Sequence, residues 1–439
     1  MLTVLADSPS ARVAVFPGHF EKRRQLATDQ RRAASLPKLK SGKNGATSSS
    51  SAAGSKGAAI DLMLGLWKTC LKNDNLGPED NYFRAGGDSL AAISLIAGIE
   101  ENFDQSIPMS YLISAPTVTA LIEKMGLGTD AATDESEGEG ETAIPAHVLS
   151  LTEAGGEITR EAPNLFCVHG ADGSVLFYQP FADLLKVDFA VHAIEAPMLT
   201  NLGIEPRGSI EKVAQQYLDD IRSVQPTGPY HFAGYSYGAL VAWEMARLAQ
   251  EQGDEVASVI IYDMYNPAEA RQYSLSERLR VIWKRSGDRA NSRLEHLSIF
   301  GKRLGQLAGW AFYHATEKLQ GGSGFAGKEF RRHVESRIKH DAQIDYYRPA
   351  PLDVPVAMIQ TEDPGDKYDF GERLGWKGIF PDEVEITTVG GNHLEIFQEP
   401  NLTKLAQATT RFLSRIAEAE IPPSPPSKTH SPREYLTRH

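Results

Sequence analysis

Cysteine is almost missing: Cys70 and Cys167 are the only two in 439 residues, too few for a disulfide framework or a zinc site. Long hydrophobic runs are missing as well. No stretch of about 18 apolar residues occurs, so nothing reads as a membrane span. The N-terminus, MLTVLADSPSARVAVFPG, has no basic region ahead of its short apolar pieces and does not read as a secretory signal. Nor is there an excess of positive charge. The 45 Lys/Arg face 57 Asp/Glu for a formal charge of -12, which argues against nucleic acid, since phosphate binding needs a basic face. What remains is ordinary globular composition, 41% hydrophobic and 23% charged, with a mean hydropathy of -0.32. The expectation is a soluble, reduced, cytoplasmic protein with neither membrane nor nucleic acid among its partners, divided into about two to four units.

The net charge hides strong segmentation. Residues 1–57 hold ten Lys/Arg against three Asp/Glu and end in SGKNGATSSSSAAGSKG, which has too little apolar surface to offset its ordering entropy and reads as leader and flexible linker. Residues 58–126 form a compact segment with nine acidic and four basic residues, followed by an acidic linker over 127–160 that contains GTDAATDESEGEGE. From 161 to 419 strand-like and helical patterns alternate. The tail, 420–439, is Pro/Ser-rich and reads as disordered.

In the small unit, Ile60, Met63, Leu64, Trp67 and Leu71 recur at helical spacing. A second amphipathic helix lies in GGDSLAAISLIAGIEENF, with Asp88 and Ser89 at its start, and Thr117 is placed to cap a third, VTALIEKM. Cys70 is expected in the core. The expected fold is a small all-α helical bundle. DNYFRAGGDSLAAISLIAGIEENF followed by IPMSYLISAPTVTALIEKM resembles a thiolation (peptidyl or acyl carrier) domain across the whole unit. The resemblance implies that Ser89 carries a 4'-phosphopantetheine arm attached by a separate phosphopantetheinyl transferase. A serine at a helix start suits this, because the helix N-terminus favours the resulting phosphate, while Gly86 and Gly87 keep the loop free of side chains.

In the large unit, apolar runs at 164–168, 188–194, 230–234, 256–262, 354–360 and 384–389 read as strands, with helical patterns such as SIEKVAQQYLDDIRSVQ and ALVAWEMARLAQEQG between them. Alternation of this kind predicts a mainly parallel sheet covered on both faces. Gly234-Tyr235-Ser236-Tyr237-Gly238 is a G-x-S-x-G sequence, which occurs by chance in roughly one chain in seven of this length. Its setting between a strand run and a helix is what a nucleophile elbow requires. A serine nucleophile needs a base and an orienting acid. In the chain order Ser, Asp, His, the acid is Asp263, at the end of VASVIIYD, and the base is His393, in VGGNHLEIF. Asp363, ending VAMIQTED, is a rival acid. His169 is a rival base that sits better as a shaper of the oxyanion loop, and His192 and His231 read as structural strand residues.

NLFCVHGADGSVLFY, YHFAGYSYGALVAWEMARLAQEQG, IIYD and GGNHLEIF resemble the thioesterases that end nonribosomal peptide and polyketide synthases, an α/β-hydrolase family. The resemblance implies an α/β-hydrolase with a helical lid insertion. It implies that Ser236 takes the acyl chain as an ester, with His393 as base then acid and Asp263 orienting it. The N–H groups of Ala171 and Tyr237 would hold the oxyanion. The family more often has proline after the strand histidine, where this chain has Gly170. The implied function is terminal chain release, by hydrolysis or cyclisation, of an acyl or peptidyl substrate delivered by an upstream synthase module; an editing thioesterase that clears misloaded carriers is the alternative. The lid, about 265–348, is basic: sixteen Lys/Arg against nine Asp/Glu over 268–348. It is expected to guide the acidic carrier, the alternative being a solvated basic face.

Overall fold

The computed structural model describes residues 52–127, 145–151, 162–197, 209–288, 290–301, 336–337, 339–365 and 368–420. Most of the expected leader and of the acidic linker, the tail beyond residue 420 and the centre of the expected lid lie outside the described residues.

Four helices make the small unit: α1 (Ala52–Leu71), α2 (Ser89–Phe103), α3 (Tyr111–Ser114) and α4 (Val118–Lys124). Helix α1 starts inside the Ser/Gly/Ala-rich stretch read as linker, because alanine sustains a helix even without apolar spacing. Its Met63, Leu66 and Trp67 are fully buried with Leu95, Ile96, Ile99, Leu121 and Ile122. Cys70 lies in the same core. The expected cap at Thr117 forms, and Asp88 caps α2 as well. Asp88 accepts from the Ala91 N–H at 2.8 Å, and Thr117 accepts from the Ala120 N–H at 3.2 Å.

The large unit is built on a seven-stranded sheet in the order β1-β3-β2-β4-β5-β7-β9. Its strands are β1 (Val148–Ser150), β2 (Asn164–Val168), β3 (Ala190–Ile194), β4 (Tyr230–Tyr235), β5 (Val256–Tyr262), β7 (Val356–Asp363) and β9 (Glu385–Asn392). All neighbouring pairs are parallel except β1 with β3. A two-stranded antiparallel pair, β6 (Arg271–Gln272) and β8 (Tyr368–Asp369), stands apart. The central strands are buried on both faces, as β5 is at every residue, which is why they read as continuous apolar runs. Period-2 alternation divides them between the two cores. Phe166, Val168, Tyr230 and Phe232 pack with α6 (Ile210–Ile221) and α7 (Tyr237–Glu251). Leu165, Cys167, Ala233 and Tyr262 pack with α5 (Tyr178–Leu184) and α11 (Asn401–Glu420). Between β6 and β7 the described parts of the insertion are helical: α8 (Leu275–Asp288), α9 at 293–301 and α10 at 339–344.

All six expected strands are present, and β7 and β9 run past their expected ends to Asp363 and Asn392. In this way the sheet carries Ser236, Asp263 and the turn bearing His393 to one edge, the C-terminal ends of β4, β5 and β9.

The caps give a check on the small unit. Replacing Thr117 with Ala is expected to cost about 1 kcal/mol, read as faster amide hydrogen exchange across residues 118–124 with α7 unaffected.

Candidate active site

Strand β4 meets α7 at a contact that only glycine allows. A Cβ on Gly234 would lie 2.1 Å from the Gly238 carbonyl oxygen, and one on Gly238 would lie 2.2 Å from the His169 oxygen and 2.4 Å from the Val168 oxygen. Between these glycines Ser236 is held at φ 56°, ψ -124°, a strained conformation for a residue with a Cβ that costs on the order of 1–3 kcal/mol. The turn lifts Ser236 off the end of the sheet, and Tyr237 follows as the first helical residue, whose N–H has no acceptor within the helix.

The Ser236 hydroxyl lies 3.0 Å from His393 Nε2, and His393 Nδ1 lies 2.8 Å from Asp263 Oδ2. An ionised carboxylate only accepts, so Nδ1 carries the imidazole proton and Nε2 is left to accept from the serine. Asp263, 6% exposed, is itself fixed: Oδ1 accepts from the Thr361 N–H at 2.6 Å, and the Thr361 hydroxyl is 3.0 Å from both carboxylate oxygens.

The histidine is positioned from two sides. Asn392 caps the turn Asn392-His393-Leu394-Glu395, accepting from the Leu394 N–H at 3.0 Å, while Glu395 accepts from the Asn392 N–H at 3.1 Å. Tyr235 stacks on the imidazole, with ring centroids 4.8 Å apart at 25°, and its hydroxyl donates to the His393 carbonyl at 2.7 Å.

The rivals fall elsewhere. Asp363 lies 3.4 Å from the Arg285 guanidinium of α8, so it ties the insertion to the end of β7 while Asp263 holds the histidine. His169 is fully buried; Nδ1 donates to the Gly170 carbonyl at 2.6 Å and Nε2 meets the Tyr217 hydroxyl at 2.7 Å. Burial holds its pKa well below the ordinary histidine value. Burial likewise pushes His192 and His231 down to about 4; they pair with Asn164 and Ser258 inside the sheet.

In the small unit Ser89 is the first residue of a 15-residue helix capped by Asp88. Gly86 has φ 88°, and a Cβ on Gly87 would lie 2.3 Å from the Tyr82 ring. Tyr82 in turn donates to the Asp88 carbonyl at 2.9 Å, so the backbone just before Ser89 is pinned from below. A close-packed glycine turn leading into a long helix's N-terminus fits a serine-linked phosphate, favoured by the helix dipole.

Two family matches bear on these units. Residues 61–124 match the phosphopantetheine attachment site family, and residues 163–282 match the thioesterase domain family. The chain therefore carries a carrier domain followed by a thioesterase domain. Among curated proteins, the nonribosomal peptide synthetase btyA of Aspergillus terreus is 37% identical over 184 residues, 42% of this chain and 18% of that protein. The dimodular nonribosomal peptide synthase of Bacillus subtilis is 30% identical over 205 residues, 47% of this chain and 8% of that protein. The non-reducing polyketide synthase ntnG of a Nectria species is 26% identical over 406 residues, 87% of this chain and 19% of that protein. The chain thus spans only a small part of the curated relatives it matches, from 3% to 22% of their length. Among solved structures, the NocB thioesterase domain shares 24% identity and a TM-score of 0.42, covering 62% of this chain and 100% of that one. No helix among the described residues is long and apolar enough to cross a membrane.

The two acids are expected to separate by reactivity. Asp263→Asn is expected to slow phosphonylation of Ser236 by a fluorophosphonate by about 10³- to 10⁴-fold, as loss of the orienting carboxylate does in serine hydrolases. Asp363→Asn is expected to leave it within about threefold, read by mass spectrometry of the labelled chain.

Proposed function

We propose that this chain performs the release step of a peptide or polyketide assembly line, moving an acyl or peptidyl chain from a phosphopantetheine thiol on Ser89 to Ser236 and then off the protein. The observation that carries this reading is the hydrogen-bonded series Ser236, His393, Asp263, at 3.0 and 2.8 Å, in one polypeptide with a phosphopantetheine attachment domain. In this reading 58–126 is the carrier and 161–419 an α/β-hydrolase with a lid at about 265–348. Residues 1–57 and 127–160 are leader and linker, apart from the start of α1 at Ala52 and the edge strand β1 (Val148–Ser150), and 420–439 is the tail. A phosphopantetheinyl transferase primes Ser89, and an upstream synthase module supplies the acyl chain.

When bound, the 4'-phosphopantetheine group supplies a thiol that presents the chain as a thioester. His393 Nε2 takes the Ser236 hydroxyl proton as Oγ bonds to the thioester carbonyl carbon, and Asp263 stabilises the imidazolium that forms. The N–H groups of Ala171 and Tyr237 stabilise the oxyanion, a contribution that preorganised donors make in a dry site. His393 then returns its proton to the leaving sulfur as the carbon–sulfur bond breaks, leaving an ester on Ser236. In the second half His393 takes a proton from water, giving an acid, or from a nucleophile within the chain itself, giving a ring. It finally reprotonates Ser236.

The lid reading has its own support. Helix α8 buries Ile282 and Ser286 and exposes Leu275, Leu279, Arg280, Trp283 and Lys284. A mixed basic and apolar face suits a docking carrier of opposite charge.

Three measurements test the proposal. Phosphopantetheinyl transferase with coenzyme A should add one phosphopantetheine to the full chain and none to Ser89→Ala. Ser236→Ala should lower cleavage of octanoyl-N-acetylcysteamine by about 10⁴-fold or more; retained activity would contradict it. Raising salt from about 50 to about 500 mM should slow release from the carrier several-fold by screening the lid while sparing the small thioester.

A further inference from the structure

The mechanism leaves several buried histidines unused, and one of them, His340, bears on the loop that carries Ala171. His340 lies on α10, near the C-terminal end of the insertion, and is 1% exposed. Its Nδ1 lies 2.9 Å from the Ala171 carbonyl oxygen, 169 residues away in sequence. A carbonyl cannot donate, so Nδ1 carries the proton and this is a charge-free N–H···O bond; the Ser336 hydroxyl lies 3.3 Å from the same nitrogen. The His340 ring stacks on Tyr237, centroids 4.2 Å apart at 19°. It also stands 5.0 Å from His169.

These contacts fall on the two residues, Ala171 and Tyr237, whose N–H groups are assigned to the oxyanion. His169 Nδ1 donates to the Gly170 carbonyl at 2.6 Å. That carbonyl belongs to the same trans peptide as the Ala171 N–H and points opposite to it. His340 binds the next carbonyl along, so two histidines fix two successive peptide planes. On the other donor, Tyr237 is packed by the His340 ring and held one turn further along α10, where its hydroxyl donates to Gln343 Oε1 at 2.5 Å. Oxyanion stabilisation depends on donors that are fixed before the charge forms, and errors well under an ångström matter.

We infer that His340 is a positioning residue of the thioesterase reaction, locking the Ala171 and Tyr237 peptides into one oxyanion site and coupling that site to the helix on which the lid ends. The inference rests on the release reading above and deepens it, because it makes the lid's distal anchor part of the transition-state geometry. Burial holds the imidazole at a pKa of about 4, so the ring stays neutral and its donor stays in place at neutral pH. Around it stand Tyr237 and His169 from the sheet edge, Ser336 on its own segment, and the neighbouring Lys339.

The test uses the full chain, octanoyl-N-acetylcysteamine as substrate and octylboronic acid as a probe whose adduct places an oxygen in the oxyanion site. His340→Phe keeps the ring stack and removes the donor. It is expected to lower kcat about 10- to 100-fold, less than the ~10²- to 10³-fold for losing an oxyanion donor outright. KM should stay within about threefold, and boronate affinity should fall by the same factor as kcat. His340→Asn, whose amide can still donate to the Ala171 carbonyl, is expected to recover to within about fivefold of the parent. An unchanged kcat and boronate affinity in His340→Phe overturns the inference, as does a loss that His340→Asn does not restore. If His340→Phe fails to fold, nitrogen NMR of the parent chain decides: protonation of His340 at Nδ1 supports it, and an Nε2–H tautomer overturns it. Failure of the release reading is a separate result, since it would appear as activity surviving Ser236→Ala.

Discussion

Everything in the large unit depends on how closely three backbones meet at the serine turn. Strand β4, helix α7 and the carbonyls at the end of β2 approach so tightly that Cβ atoms on Gly234 or Gly238 would sit 2.1–2.4 Å from backbone oxygens. The approach forces Ser236 to a positive φ, and the surrounding packing holds it there: Phe232, Ala239, Leu240 and Trp243 are all fully buried. Once the serine is fixed, the parallel order β4-β5-β7-β9 decides what can reach it. Asp263 ends the next strand over, and Thr361 on the strand after that grips both oxygens of its carboxylate. His393 follows the outermost strand of this series and returns across the sheet edge.

The same constraint explains why so many aromatic and imidazole rings gather here. A strained turn needs rigid neighbours, and flat rings supply contact area with few rotamers to fix. Tyr235 lies against His393, while Tyr237 lies beneath His340 and near His169. The two tyrosines flanking the serine therefore serve opposite walls, one beside His393 and one beside His169 and His340. Alternation about the turn sends them to different sides. In the small unit Tyr82 plays a comparable part, packed edge-on to Trp67 and bonded to the Asp88 carbonyl, so that the backbone before Ser89 is held by the core.

Local patterns in the sequence were enough to read the strands, the carrier helices, the Thr117 cap and the local settings of Ser236, Asp263 and His393, because each is written within a few residues. Strand β1 escaped notice: three residues at a sheet edge carry no usable periodicity. Helix α1 began earlier than its apolar spacing indicated. Thr361 could not be singled out, because its value lies in a register between β5 and β7 that no single strand encodes. His340 was invisible for the same reason on a longer scale. It sits in a charged helical segment, and its partner peptide lies on the far side of the chain. The choice between Asp263 and Asp363 also needed the fold: both end parallel strands, and only the Arg285 contact shows the second to be occupied with the insertion.

The central claim is that an acyl chain passes from Ser89 to Ser236. It is tested most directly by loading the full chain with an octanoyl-phosphopantetheine group, quenching at successive times, and following the two serine-bearing peptides by mass spectrometry. The account predicts that octanoyl mass leaves the Ser89 peptide as it appears on the Ser236 peptide, ahead of free octanoate. Octanoate released while the Ser236 peptide never gains mass, even when His393 is substituted to slow the second step, would contradict it.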